Sequence, residues 1–140
     1  MTRLPMSAAQ PTAAVVAATR QRAEQGDADA QASLGAIYVS GQGIPQNYKE
    51  AARWLQLAAE QGHVLAMRDL ITMYRTNQGV DQDIVEAHKW ANLAASHATG
   101  DDHKEYADTR DTFAKMMTLE EVAEAQKRAT EWQEDFDARQ

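Results

Sequence analysis

Ala30-Gln31-Ala32-Ser33-Leu34-Gly35-Ala36-Ile37-Tyr38 opens a stretch, Ala30 to Gly62, that the chain writes twice. The first copy carries Ala30, Leu34, Gly35, Tyr38, Gly43, Ala51, Trp54, Leu57, Ala58 and Ala59. The second carries Ala66, Leu70, Ile71, Tyr74, Gly79, Ala87, Trp90, Leu93, Ala94 and Ala95. Subtracting Trp54 from Trp90, or Tyr38 from Tyr74, gives 36 each time. A fixed period of about 20 to 50 residues signals stacked supersecondary units rather than one irregular core.

Within each copy Ala30, Leu34 and Tyr38, or Ala66, Leu70 and Tyr74, are spaced by four and fall on one helical stripe. Gly43 and Gly79 interrupt the run, after which Ala51, Trp54, Leu57 and Ala58, or Ala87, Trp90, Leu93 and Ala94, mark a second amphipathic helix. Each unit is a helical hairpin. The alanines let two backbones approach, and the Trp and Tyr rings fill the wider gaps between hairpins, each buried ring contributing about 2 to 3 kcal/mol. A single hairpin leaves an apolar face uncovered, which the next one covers.

The string Ala30, Leu34-Gly35, Tyr38, Gly41-Gln42-Gly43-Ile44, Ala51, Trp54, Ala58-Ala59 and Gly62 resembles the Sel-one-like repeat (SLR), a relative of the tetratricopeptide repeat with a slightly longer period. The second copy retains Ala66, Leu70, Tyr74, Gly79-Val80, Asp83, Glu86-Ala87, Lys89-Trp90 and Ala94-Ala95. It departs from the pattern at Ile71, where Gly is usual, and at Asn77, where the first loop glycine is usual; the first loop departs at Pro45. Ile71 in place of a small residue predicts wider packing in that hairpin. The resemblance covers Gly26 to about Ala98. It implies an all-α fold, a short right-handed α-solenoid of stacked hairpins with about seven helices. For function it implies a non-enzymatic scaffold or adaptor in a bacterium. An enzyme-associated protein acting on cell-wall compounds, and a self-assembling structural repeat, are the alternatives.

The chain has 140 residues and a net charge of -7, with 44% hydrophobic residues, which suits one repeat domain. An acidic surface repels phosphate backbones and anionic membranes, so the partner is expected to be protein or peptide rather than nucleic acid. Absence of cysteine excludes disulfides and thiolate metal sites. No run reaches the length of about 18 apolar residues that a membrane span needs. Gln10 and Pro11 interrupt any signal-like apolar run at the N-terminus, which favours the cytoplasm over the periplasm or secretion.

Residues 1–10 read as a mobile tail and 11–138 as one repeat domain. Residues 11–26 form a capping half-repeat, because Ala23-Glu24-Gln25-Gly26 matches Ala59-Glu60-Gln61-Gly62 at the same period. Repeat one spans 27–62, with Asp27 as N-cap. Repeat two spans 63–99, its second helix opened by Asp83 or Asp81. Residues 100–138 hold a degenerate repeat and a capping helix. Thr118 and Glu121 form a capping box before the stripe of Val122, Ala125, Ala129, Trp132 and Phe136, whose two aromatics lock the end of the stack.

Catalytic and metal chemistry find little support. Gly41-Gln42-Gly43 and Gln78-Gly79 lack the preceding strand and following Lys-Ser/Thr of a phosphate loop. His97, Asp101, Asp102 and His103 form the only local cluster with ligand-type side chains, and a solvated turn explains it. No cofactor is expected. A binding face is better defined: at about 100° per residue, Leu65, Arg68, Thr72 and Arg75 lie opposite the stripe of Ala66, Leu70 and Tyr74. The equivalent positions of repeat one are Asp29, Ala32, Ala36 and Val39. In tetratricopeptide relatives this face lines the concave groove, so the resemblance implies that these residues face the ligand. Small side chains beside two arginines suit an extended segment carrying short apolar residues and a carboxylate. The chain itself is expected to be a monomer or a weak homo-oligomer.

Overall fold

The computed structural model describes residues 11–140; the tail expected over residues 1–10 lies outside them. Seven helices follow one another: α1 (Ala13–Glu24), α2 (Ala28–Ser40), α3 (Tyr48–Glu60), α4 (Val64–Thr76), α5 (Ile84–His97), α6 (Gly100–Ala114) and α7 (Leu119–Ala138). There is no strand among the described residues. The architecture is the expected right-handed α-solenoid.

Six of the seven helix starts, all but that of α6, are set by side chains that satisfy the otherwise unpaired N–H groups of the first turn. Asp27 Oδ1 accepts from Ala30 N at 3.2 Å, and Asp83 Oδ1 accepts from Val85 N and Glu86 N at 3.0 and 3.2 Å. Thr118 and Glu121 close the capping box. The cap of α4 comes instead from His63, whose Nδ1 accepts from Ala66 N at 3.2 Å while Nε2–H donates to Asp29 Oδ1 at 3.0 Å. One imidazole therefore starts α4 and ties it to the first turn of α2.

The loops repeat along with the helices. A Cβ at Gly43 would lie 2.8 Å from the Pro11 carbonyl oxygen, and one at Gly79 would collide with the Tyr48 carbonyl group. Each hairpin's loop thus rests on backbone at the start of the preceding second helix, closer than any side chain permits. Asn77, the departure from the glycine pattern, adopts φ 59, much as Gly41 adopts φ 70 in repeat one. Its Oδ1 accepts from Gln82 N at 3.1 Å, which offsets the strain of left-handed backbone in a residue with a Cβ.

Trp54 and Trp90 are both buried. Trp54 packs with Ala23, Ala30 and Leu34, joining α1, α2 and α3. Trp90 belongs to a larger core of α3 to α7 that includes Leu55, Met67, Leu70, Tyr106 and Trp132. Tyr38 and Tyr74 are half-buried between elements. At Gly35 a Cβ would sit 2.6 Å from Leu55 Cγ, so a bulky residue on α3 uses the space that glycine leaves. In repeat two the same register offers Ile71 and Ala91, both buried. At this register the bulk has moved from the second helix to the first.

Two apolar positions behave differently from the simple stripe. Leu57, placed by the sequence on an apolar face, is 41% exposed, and Val15 in the first turn of α1 is 51% exposed. Leu93, one period after Leu57, is buried because α7 lies over it with Ala129. Helix α6 packs on α5 as the first helix of a third hairpin, but α7 also packs on α5 and barely touches α6. Residues 100–138 therefore supply one further stacked helix and a strap rather than a paired hairpin.

The strap is tightly held. Trp132 meets Trp90 edge-on at 5.9 Å and stacks on Phe136 at 5.0 Å. Its Nε1–H donates to Glu60 Oε2 at 2.7 Å. Arg128 donates to Glu86 at 2.8 Å and to Glu124 at 2.9 Å, and Arg139 donates to the Glu60 carbonyl at 3.1 Å. Trp132 and Phe136 lock the C-terminal end, and they do so by reaching back to both hairpins.

Candidate partner-binding groove

Helices α2, α4 and α6 share one face, and two clefts run along it. The smaller, about 170 Å³, lies between α2 and α4 with Ala36 and Val39 on one wall and Asp69, Thr72, Met73 and Gln78 on the other. The larger, about 360 Å³, lies between α4 and α6. Arg68, Ile71, Thr72 and Arg75 form its α4 wall. Glu105, Tyr106, Thr109, Thr112 and Phe113 form its α6 wall. Thr72 lines both clefts, so they form one continuous surface.

Five of the eight residues singled out from the sequence line these clefts: Ala36, Val39, Arg68, Thr72 and Arg75. Ala32 is half-buried and packs against the core, so it supports the floor. Leu65 is 52% exposed one turn before Arg68 and lines neither cleft. Asp29, its counterpart in repeat one, is bonded to His63.

The two arginines are not equivalent. Arg68 Nε and Nη2 both donate to Asp69 Oδ1, at 3.3 and 3.2 Å, which holds the guanidinium on its own helix. Arg75 makes no ion pair among the described residues and stands in the last turn of α4. A cation there also complements the helix C-terminus. Across the cleft, burial raises the Tyr106 phenol above its ordinary pKa, while the Arg68 guanidinium acts in the opposite direction. Tyr106 is thus a neutral hydroxyl beside a cation, and with Ile71 and Phe113 it gives the cleft an apolar floor.

The contribution of α6 was not anticipated. Glu105, Thr109 and Thr112 do follow helical spacing, but the junction glycines fall at Gly26, Gly62 and Gly100, and the third arrives two residues late. That slip hides the equivalence of α6 with α2 and α4. Away from the groove, the histidines serve as joints. His97 Nε2–H donates to Gln133 Oε1 at 2.8 Å, and His103 Nδ1–H donates to the Ala95 carbonyl at 2.6 Å. Among the described residues no group of three or more His, Asp or Glu side chains is placed to hold a metal, and no helix is long and apolar enough to cross a membrane.

The family model of the Sel1 repeat matches residues 28–63 and 65–98, together half of the chain. The chain belongs to the Sel1 repeat family. Sel1 repeats serve generally as protein–protein interaction scaffolds and are typically non-catalytic. Among solved structures the chain is similar to c5321, described as a protective antigen present in uropathogenic Escherichia coli strains and displaying an SLR fold. That match has a TM-score of 0.80 and 27% identity, covering 89% of this chain and 26% of that one. It is also similar to a Sel1 repeat protein from Oxalobacter formigenes, with a TM-score of 0.63 and 32% identity over 67% of this chain and 39% of that one. This Sel1 repeat chain therefore spans well under half the length of either relative. No curated protein matches it.

Proposed function

We propose that this Sel1 repeat chain is a non-catalytic scaffold that holds an extended segment of another protein along the face of α2, α4 and α6. The observation that carries this reading is the pair of clefts joined at Thr72, with Arg75 making no ion pair among the described residues at the rim of the larger one, in a chain of net charge -7. Short apolar side chains of the partner lie over Ala36 and Val39, above the floor that Ala32 supports. A partner carboxylate meets Arg75, with Arg68 released from Asp69 as a second donor, because a guanidinium fork recognises a carboxylate in two parallel hydrogen bonds.

The test is capture of partner proteins from a lysate of the native host by immobilised wild type and by the Arg68→Ala, Arg75→Ala double variant. Both side chains are exposed, so the double variant is expected to keep its melting temperature within a few degrees. It is expected to lose the captured partner, and undiminished capture would remove the groove from consideration.

A further inference from the structure

The two most exposed large apolar side chains of the described molecule lie three residues apart at the corner between α6 and α7. Leu119 is 89% exposed and Met116 is 63% exposed. Neither contributes to the core, to the α7 strap or to the groove. They are flanked by Lys115 and Glu120, both exposed. The α4–α6 cleft begins one helical turn away, at Thr112 and Phe113; its apolar floor is flanked by Arg75 and, beside Tyr106, by Glu105 with Arg68, whose charge is offset by its ion pair with Asp69. Corner and cleft therefore match in kind: an apolar pair between a cation and an anion, and an apolar floor between an anion and a cation.

We propose that the corner of one copy of this chain docks into the α4–α6 cleft of a second copy. Leu119 and Met116 enter against Ile71 and Phe113, Glu120 meets Arg75, and Lys115 meets Glu105. Because corner and cleft adjoin on the same α6 turn, a two-fold axis lets both copies donate and accept at once, giving a closed dimer. The contact, two corners in two small clefts, is small, so association is expected to be weak and to depend on concentration. In the dimer Arg75 is occupied, so self-association and partner capture compete for the same cleft. The inference rests on the cleft's geometry and not on the partner reading, and the two fail separately.

The test is sedimentation equilibrium of the full chain from micromolar to near-millimolar concentration. Wild type is expected to move from monomer to dimer across that range. Leu119→Ser, at a position too exposed to affect folding, is expected to weaken association about tenfold through lost apolar burial. Glu120→Arg is expected to weaken it as well, and Glu120→Arg combined with Arg75→Glu to restore it. Wild type that stays monomeric throughout, a dimer indifferent to Leu119→Ser, or a charge exchange that restores nothing would each overturn the proposal. Loss of capture in the arginine double variant with no dimer in wild type would leave the scaffold reading standing and this one refuted.

Discussion

Single residues decide whether neighbouring helices fit, and the Gly35–Leu55 contact shows how. A side chain at position 35 has no room while Leu55 is present, yet repeat two accommodates Ile71 because position 91 is alanine. Gly35→Ile alone is expected to destabilise by about 1 to 3 kcal/mol through overpacking. Leu55→Ala alone is expected to cost about 2 to 5 kcal/mol through the cavity it leaves. The double variant, which copies repeat two into repeat one, is expected to recover most of both losses, as urea midpoints would show. His88 is a second residue with a readable consequence. It is buried beside Arg110 with Nδ1 unpartnered, and burial first, then the arginine, lowers its pKa below the ordinary 6.5. Below about pH 6.5 the unfolded chain takes up this proton while the folded chain resists it, so the stabilisation present at neutral pH declines with acidification. The slope from one such group reaches at most about 1.4 kcal/mol per pH unit. Urea unfolding between neutral pH and about pH 5 is expected to show a shallower acid limb for His88→Gln than for wild type.

At the scale of elements, α7 accounts for the difference between the two repeats. It covers Leu93 but not Leu57, and it binds Glu60 of the first hairpin through Trp132 and Glu86 of the second through Arg128. Trp132→Ala removes the aromatic stack and the hydrogen bond to Glu60 together, and is expected to cost about 3 to 5 kcal/mol. With the strap loosened, Leu93 and Trp90 meet water, so binding of a dye for apolar surface is expected to rise. A variant with wild-type dye binding and an unchanged urea midpoint would mean that α7 is not the strap described.

For the whole molecule, linkage through α7 changes what a short solenoid does on unfolding. Stacked repeats contact only their neighbours and can lose structure from the ends inward. Here Trp132 and Arg139 reach back to the end of α3, while α6 and α7 both rest on α5. Tryptophan fluorescence, which reports both hairpins and the strap, is therefore expected to follow the same urea transition as far-UV circular dichroism. Separated midpoints would show the repeats parting independently.

The duplicated spacing of Ala30, Leu34, Tyr38 and Trp54 determined the hairpins, their order and their mutual stacking, because local periodicity and turn chemistry are written residue by residue. The same spacing placed Ala36, Val39, Arg68, Thr72 and Arg75 on one face. It could not show that α7 leaves α6 to lie on α5, or that Glu105, Tyr106 and Thr112 complete the larger cleft. Those features arise between segments whose register no longer follows the period of 36, where position in the chain ceases to predict position in space and only packing selects the contact.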